Sequence, residues 1–233
     1  MRIWSVDEFE AKLRAIGEER YHDKHPFNLR MHAGELSDEE LRGWVRNRFY
    51  YQTSLPVKDA LILAKLPSRA DRRLWLQRII DQDGRRGEEG GLESWLRLGE
   101  AVGLEQSELL DHRSVLPGVR FAVDAYVNFC RNNPWLDAVA SATTELFAPG
   151  LLSLRVQQME KHYPWIDPDG LEYFRRRLTQ QPRDIEHLLA LVLHSARTAE
   201  EQQRCVRALE FKCDVLWSLL DSVQLAYSKD GVG

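Results

Sequence analysis

The chain is predicted to be all-α, on three observations. Apolar residues recur at spacings of three and four along nearly its whole length, alternating runs of β-branched residues are absent, and the proline- and glycine-containing breaks between periodic stretches are short. Its 233 residues, 43% of them hydrophobic, suffice for a sizeable core, so a single domain over 1–233 is expected. The first periodic stretch predicts a helix over 6–16. Ser37 followed by Glu40 is a capping-box signature opening a helix over 37–55, with a second over 57–64 beyond Pro56. Pro67 separates these from a helix over 69–83, and the glycines of GRRGEEGG precede one over 92–102. Pro117-Gly118 and Asn133-Pro134 bracket a helix over 119–132, and the stretch 135–147 reads as the next. Pro149 and Pro164 flank a helix over 150–162; Asp167-Pro168 is a start signal for one over 170–179, followed by one over 182–196. The last, over 199–227, carries apolar residues on more than one face, the mark of a central bundle helix.

Charge and composition exclude several function classes. Net charge is −4, with 32 basic residues scattered among 36 acidic ones and no basic block, which disfavours a nucleic-acid groove. The opening MRIWSVDEFEAKL has acidic residues where a signal peptide needs a continuous apolar stretch, and no later run approaches the length of a membrane span. A cytoplasmic protein without membrane partners is expected. Cys130, Cys205 and Cys213 are odd in number and lack CxxC spacing, which predicts buried free thiols.

The most informative polar residues interrupt apolar helices. In NRFYYQ, Arg48 and Gln52 lie four apart and so project from one helix face; Tyr173 and Arg177 repeat the device in EYFRRR. Arg78, Tyr126, Glu145, Arg155 and Lys212 are further polar residues within apolar patterns. Lys212 lies amid the apolar residues of the final helix, where an unpaired ammonium is costly, and a cavity-facing role is expected for it. Taken singly, each has an ordinary structural reading: a solvated arginine, or a core tyrosine with a satisfied hydroxyl. If they converge, they line a cationic, phenol-rich cavity suited to a small polycarboxylate, since a planar guanidinium binds a carboxylate through two parallel hydrogen bonds.

These stretches also carry a resemblance. LRMHAGELS, NRFYYQTSLPVKDA, GLESWLRLGEAVGL, LPGVRFAVDAYVNF, TELFAP, HYPWID and FKCDVLW, in order from about Tyr21 to Tyr227, resemble the PqqC family of pyrroloquinoline-quinone synthases. The resemblance implies a helical bundle of the haem-oxygenase-like or thiaminase II-like kind, assembled as a homodimer. It implies a cofactorless oxidase acting at the last step of pyrroloquinoline quinone (PQQ) biosynthesis. There a fused bicyclic, amino-acid-derived precursor undergoes ring closure and multi-electron oxidation by O2 as co-substrate, giving H2O2 and PQQ as bound product. Carried onto matching positions, it implies that Arg48, Arg78, Arg155, Arg177 and Lys212 bind carboxylates and developing negative charge. Gln52, Thr144 and Glu145 are then expected to orient the rings, Tyr21, His22 and Tyr173 to serve proton transfer, and Tyr126 to shape the pocket. No metal ligands are expected.

Two positions depart from the family pattern. Where the pattern has Asp-His-Asp-Gly, this chain has Asp81, Gln82, Asp83 and Gly84. Glutamine keeps hydrogen-bonding capacity but is no acid or base near neutral pH, so stalling at an intermediate, or binding of precursor and product without turnover, is the alternative expectation. Leu152 stands where some members have histidine, a position that tolerates apolar residues. A di-iron oxygenase of the same fold is the rival class. Its signals are the three-residue spacings Glu19/His22, His22/His25 and Asp184/His187, which are better read as chance, beside a proline or at a helix start. Cys130 in NFCRNN shows no local partner for a thiaminase-like nucleophile. GRRGEEGG follows a helix rather than a strand and so fails as a nucleotide loop; connector and lid are both open for it.

Overall fold

The computed structural model describes residues 2–227, among which eleven α-helices and three 3-10 segments account for nearly all regular structure. The helices are α1 (Val6–Arg20), α2 (Pro26–Ala33), α3 (Asp38–Leu63), α4 (Arg69–Asp83), α5 (Gly91–Ala101), α6 (Gln106–Leu110), α7 (Pro117–Asn132), α8 (Trp135–Ser141), α9 (Ala148–His162), α10 (Glu172–Ser195) and α11 (Ala199–Tyr227). No strand is present among the described residues; the lone β-bridge pairs Arg85 with Glu88 inside the glycine-rich connector. The all-α expectation therefore holds.

Local chemistry explains where helices begin. Ser5 with Glu8, and Ser37 with Glu40, form reciprocal capping boxes at α1 and α3, each satisfying two orphan donors. His25 caps α2 by accepting from the Phe27 N–H at 3.0 Å, an arrangement that fixes its Nδ1 as the acceptor. Around α11 pack α7, α8, α1 and α3. The faces of α11 buried in this way carry Cys205, Leu209, Cys213, Leu216, Leu219, Leu220 and Val223. All three cysteines are buried free thiols.

Two expected breaks are absent, because proline does not end these helices. Pro56 lies inside α3 and Pro182 inside α10, so the pairs 37–55 with 57–64 and 170–179 with 182–196 are each one helix apart from their ends. Burial of the flanking turns outweighs the lost hydrogen bond. Pro56 has no N–H for the carbonyl four residues earlier, that of Gln52. That carbonyl instead accepts from Gln82 Nε2 on α4, at 3.3 Å. The stretch expected as one helix over 135–147 is instead α8 followed by a 3-10 segment, Ala142–Phe147, which carries Thr144 and Glu145 inward. Helices α2 and α6 had no counterpart in the periodicity, being only 8 and 5 residues long.

The glycine-rich connector is a tight turn. Gly84 and Gly87 have φ of 78° and 84°, a region that favours glycine, and Arg176 of α10 donates to the carbonyls of Glu89 (2.9 Å) and Gly90 (3.4 Å). It is thereby tied to the helix that carries the site residues.

Candidate active site

A cavity of about 100 Å³ opens between α3, α5, α9, α10 and α11, the Ala142–Phe147 segment and the turn after α1. Nine of the expected residues line it: Tyr21, His22, Arg48, Gln52, Thr144, Glu145, Arg155, Tyr173 and Arg177. The wall thus carries three guanidiniums and one carboxylate, with the tyrosines Tyr21, Tyr51 and Tyr173 between them.

One end is built by Arg155, His22 and Asn28. Arg155 is buried, lies over the rings of Trp44 and Phe174, and donates to Asn28 Oδ1 at 2.7 Å. Because arginine only donates, the amide oxygen of Asn28 must face it, and the Asn28 NH2 then donates to the His22 carbonyl (2.6 Å) and to His22 Nδ1 (3.1 Å). His22 therefore carries its proton on Nε2. Burial, with Arg48, Arg155 and Lys212 nearby, holds its pKa well below the ordinary histidine range, so the ring is neutral near pH 7. Burial and Arg48 likewise lower Arg155, to about 9, which still leaves it charged. The Arg155 Nε–H is buried without a partner, and no carboxylate lies within ion-pairing distance of Arg48 or Arg155 among the described residues. Arg48 lies over the Tyr51 ring, 4.1 Å from its centre.

The other end is a charge network. Glu145 accepts from Arg78 at 2.6 Å and lies 3.9 Å from Arg177, which reaches Asp184 at 3.4 Å. Burial alone pushes the Glu145 carboxyl up, but Arg78, Arg177 and Lys58 outweigh it and hold the group ionised. Arg78 also donates to the Asp184 carbonyl, at 2.8 Å. Between the two ends, Tyr173 donates to Gln52 Oε1 at 2.7 Å, and Gln82 Nε2 also approaches that oxygen, at 3.3 Å. Burial raises the Tyr173 and Tyr21 hydroxyls, so both are protonated donors at neutral pH.

Four expected residues stand one layer behind the wall: Gln82, Arg78, Tyr126 and Lys212. Gln82 reaches the cavity only through Gln52; a side chain at Gly91 would meet Gln82 Oε1 at 2.7 Å and Tyr173 at 3.2 Å, and so would displace the Gln82 amide. Lys212 was expected to face the cavity. It is instead buried behind Tyr51, donating to its hydroxyl at 2.8 Å, with Nζ 3.4 Å from the Tyr126 ring centre. Burial, then Arg48 and Lys58, push its pKa well below the ordinary lysine range.

Sequence reasoning missed Tyr51, Trp95, Phe174, Gln181 and Leu216 among the lining residues, and Asn28 behind them. Leu152, one of the two departures, lines the wall as an apolar residue. The histidines of the rival ligand pairs have other partners: Asn28 for His22, Asp221 for His25 (3.0 Å) and Asp71 for His187 (3.3 Å). No cluster of three or more potential metal ligands occurs among the described residues.

A helical bundle enclosing such a chamber is the haem-oxygenase-like fold. A domain of unknown function with a heme oxygenase-like fold from Shewanella denitrificans superposes with TM-score 0.78 at 14% identity, covering 100% of this chain and 98% of that one. A TenA homologue from P. horikoshii gives TM-score 0.73 at 13% identity, covering 94% and 98%. Residues 10–222 match the TENA/THI-4/PQQC family, and the chain belongs to that family. Within it, the chain is 54% identical over 229 residues to a pyrroloquinoline-quinone synthase from Cronobacter sakazakii, covering 98% of this chain and 91% of the relative. It is 55% identical over 223 residues to one from Pseudomonas syringae pv. tomato, covering 96% and 88%.

Proposed function

We propose that this protein is a pyrroloquinoline-quinone synthase, catalysing the final ring closure and oxidation that yield PQQ. The observation that carries the reading is near-full-length identity of 54–55% to relatives of that name. The chamber supports it physically: three guanidiniums face one carboxylate, which suits a ligand bringing several carboxylates of its own. Each O2 takes two electrons and two protons from the substrate to leave as H2O2, so the protein has to hold, deprotonate and protonate its ligand rather than supply electrons. Neutral His22 and the protonated Tyr21 and Tyr173 hydroxyls are the groups for that proton traffic. No metal or flavin, a homodimeric assembly and a cytoplasmic setting complete the reading; no helix among the described residues is long and apolar enough to cross a membrane. At about 100 Å³ the chamber is smaller than the roughly 300 Å³ or more of a drug-sized ligand site, so its walls must part for the ligand to enter.

Aerobic incubation with the bicyclic precursor is expected to consume O2 over multiple turnovers, form H2O2 and withstand chelators. Anaerobic incubation is expected to give binding without PQQ. Activity that vanishes on chelation and returns with iron would overturn the reading in favour of a di-iron oxygenase, whereas stoichiometric binding with no O2 uptake would leave a binding protein. A second measurement tests the charge network: Arg177→Ser is expected to weaken PQQ binding by about 1.5–3 kcal/mol, the scale of a charge-assisted hydrogen bond, with helix content unchanged. Unaltered affinity would mean that Arg177 serves only Glu145 and Asp184.

A further inference from the structure

Asn28, on α2, is wholly buried, and its side chain makes three hydrogen bonds whose polarities agree. Arg155 donates to Oδ1 at 2.7 Å, and the amide nitrogen lies 2.6 Å from the His22 carbonyl and 3.1 Å from His22 Nδ1. Turning the amide over would set its nitrogen against a guanidinium and its oxygen against a carbonyl, so its orientation is fixed at both ends. Nδ1 is thereby held as an acceptor, and the proton of the neutral ring sits on Nε2. That nitrogen has no partner among the described residues and is not sealed off, since the ring forms part of the chamber wall.

The surroundings oppose a second proton on the ring. The charged or titratable groups about it are Arg48 on α3, Arg155 on α9, Lys212 on α11, His25 at the start of α2 and the Tyr21 ring, edge-on at 4.5 Å. No carboxylate pairs with His22 among the described residues. A ring so placed cannot take a proton at Nε2, where it already has one, nor readily at Nδ1, where Asn28 donates. What it offers the chamber is a neutral N–H, the means of steadying a ligand atom that turns anionic as a proton leaves elsewhere. Resting on the synthase reading, we infer that Asn28 is a positioning residue for this chemistry: it holds His22 with an N–H towards the ligand, so that His22 stabilises developing negative charge as a donor and does not abstract a proton. Its share of the proton traffic is to present this proton.

The first test reads the tautomer without substrate, by NMR of protein labelled with nitrogen-15 at histidine. The His22 signals are assigned by their absence from His22→Gln. The unaltered protein is expected to show a protonated Nε2, an unprotonated Nδ1 and no titration of this ring between about pH 6 and 8. Asn28→Asp replaces two donors by acceptors, so its His22 is expected to carry the proton on Nδ1 and to titrate about one to three pH units higher. Turnover with the bicyclic precursor then separates the roles. Glutamine keeps an oxygen to accept from Asn28 and an N–H for the ligand but has no acid–base chemistry. His22→Gln is therefore expected to stay within about tenfold of the unaltered kcat, whereas His22→Leu and Asn28→Asp lose on the order of 10²-fold. A ring protonated on Nδ1 or cationic in the unaltered protein, an unchanged tautomer in Asn28→Asp, or equal turnover by His22→Gln and His22→Leu would overturn the inference. Should Asn28→Asp fail to fold, the unaltered spectrum and the two His22 variants decide it. If the unaltered protein forms no PQQ, the synthase reading falls, while the spectra still decide whether Asn28 sets the ring.

Discussion

Lys212→Met is expected to make the protein more stable and a poorer catalyst. The Lys212 amine is buried and, among the described residues, has no carboxylate partner; it contacts the Tyr51 hydroxyl and ring and the Tyr126 ring. Its folded pKa lies well below its unfolded value of about 10.4, so below that value the unfolded chain binds more protons and folding stability falls with falling pH. Methionine removes the penalty at nearly the same volume. A gain of about 1–3 kcal/mol is expected at pH 7, shrinking towards pH 10. In a thermal scan this appears as roughly 2–12 °C. Turnover is expected to drop on the order of 10²-fold, because the Lys212 amine is placed to exchange a proton with Tyr51, whose ring lines the chamber. A melting temperature that falls, or a gain independent of pH, would show that the ammonium is paired and charged in the folded protein.

Gln82→His is expected to accelerate the last oxidation by about 10²- to 10⁴-fold, the range of general acid–base catalysis, and to clear a partly oxidised intermediate that the unaltered protein accumulates. The structure adds a reason why folding survives the exchange. Position 82 supplies a donor to the Gln52 carbonyl and, through Gln52, touches Tyr173. An imidazole N–H can make the same donation while adding a titratable nitrogen next to the Tyr173 relay. Precursor and product affinity are expected to stay constant, because Gln82 is not on the wall. Stopped-flow spectra that show equal rates and no intermediate in either protein would place the proton traffic with His22 or Tyr173 alone.

The parts of the site that were legible in the sequence are those whose signal is local. Arg48 with Gln52, and Tyr173 with Arg177, share a face because they lie four apart, and all four line the chamber. Gln181 continues the second stripe by the same rule. It escaped because Pro182 suggests a helix start, whereas α10 runs through it without a break. Tyr51 escaped for a different reason: Tyr50 and Tyr51 are the same residue side by side, and only packing shows that Tyr50 turns outward to Asp124 while Tyr51 turns inward to Lys212. Asn28 lies in α2, a helix of 8 residues that is too short to announce itself by periodicity. Lys212 was conspicuous as a lone charge among apolar neighbours, yet its aim depended on a tyrosine 161 residues away in the sequence. The fold class followed from spacing, while the chamber's wall depended on contacts between helices that no window of sequence contains.

The proline within α3 has a consequence for how this chain can drift. By leaving the Gln52 carbonyl without its helical donor, Pro56 opens a vacancy that the Gln82 side chain on α4 fills. Leucine or valine at position 82 would strand a buried carbonyl, at about 1–3 kcal/mol, whatever its effect on chemistry. Substitution at that position is therefore filtered by the backbone before it is filtered by catalysis, and the tolerated alphabet is the short list of donors that fit beside Gly91. Histidine and glutamine are neighbours in that alphabet, so a lineage can trade acid–base capacity back and forth there without passing through an unstable ancestor.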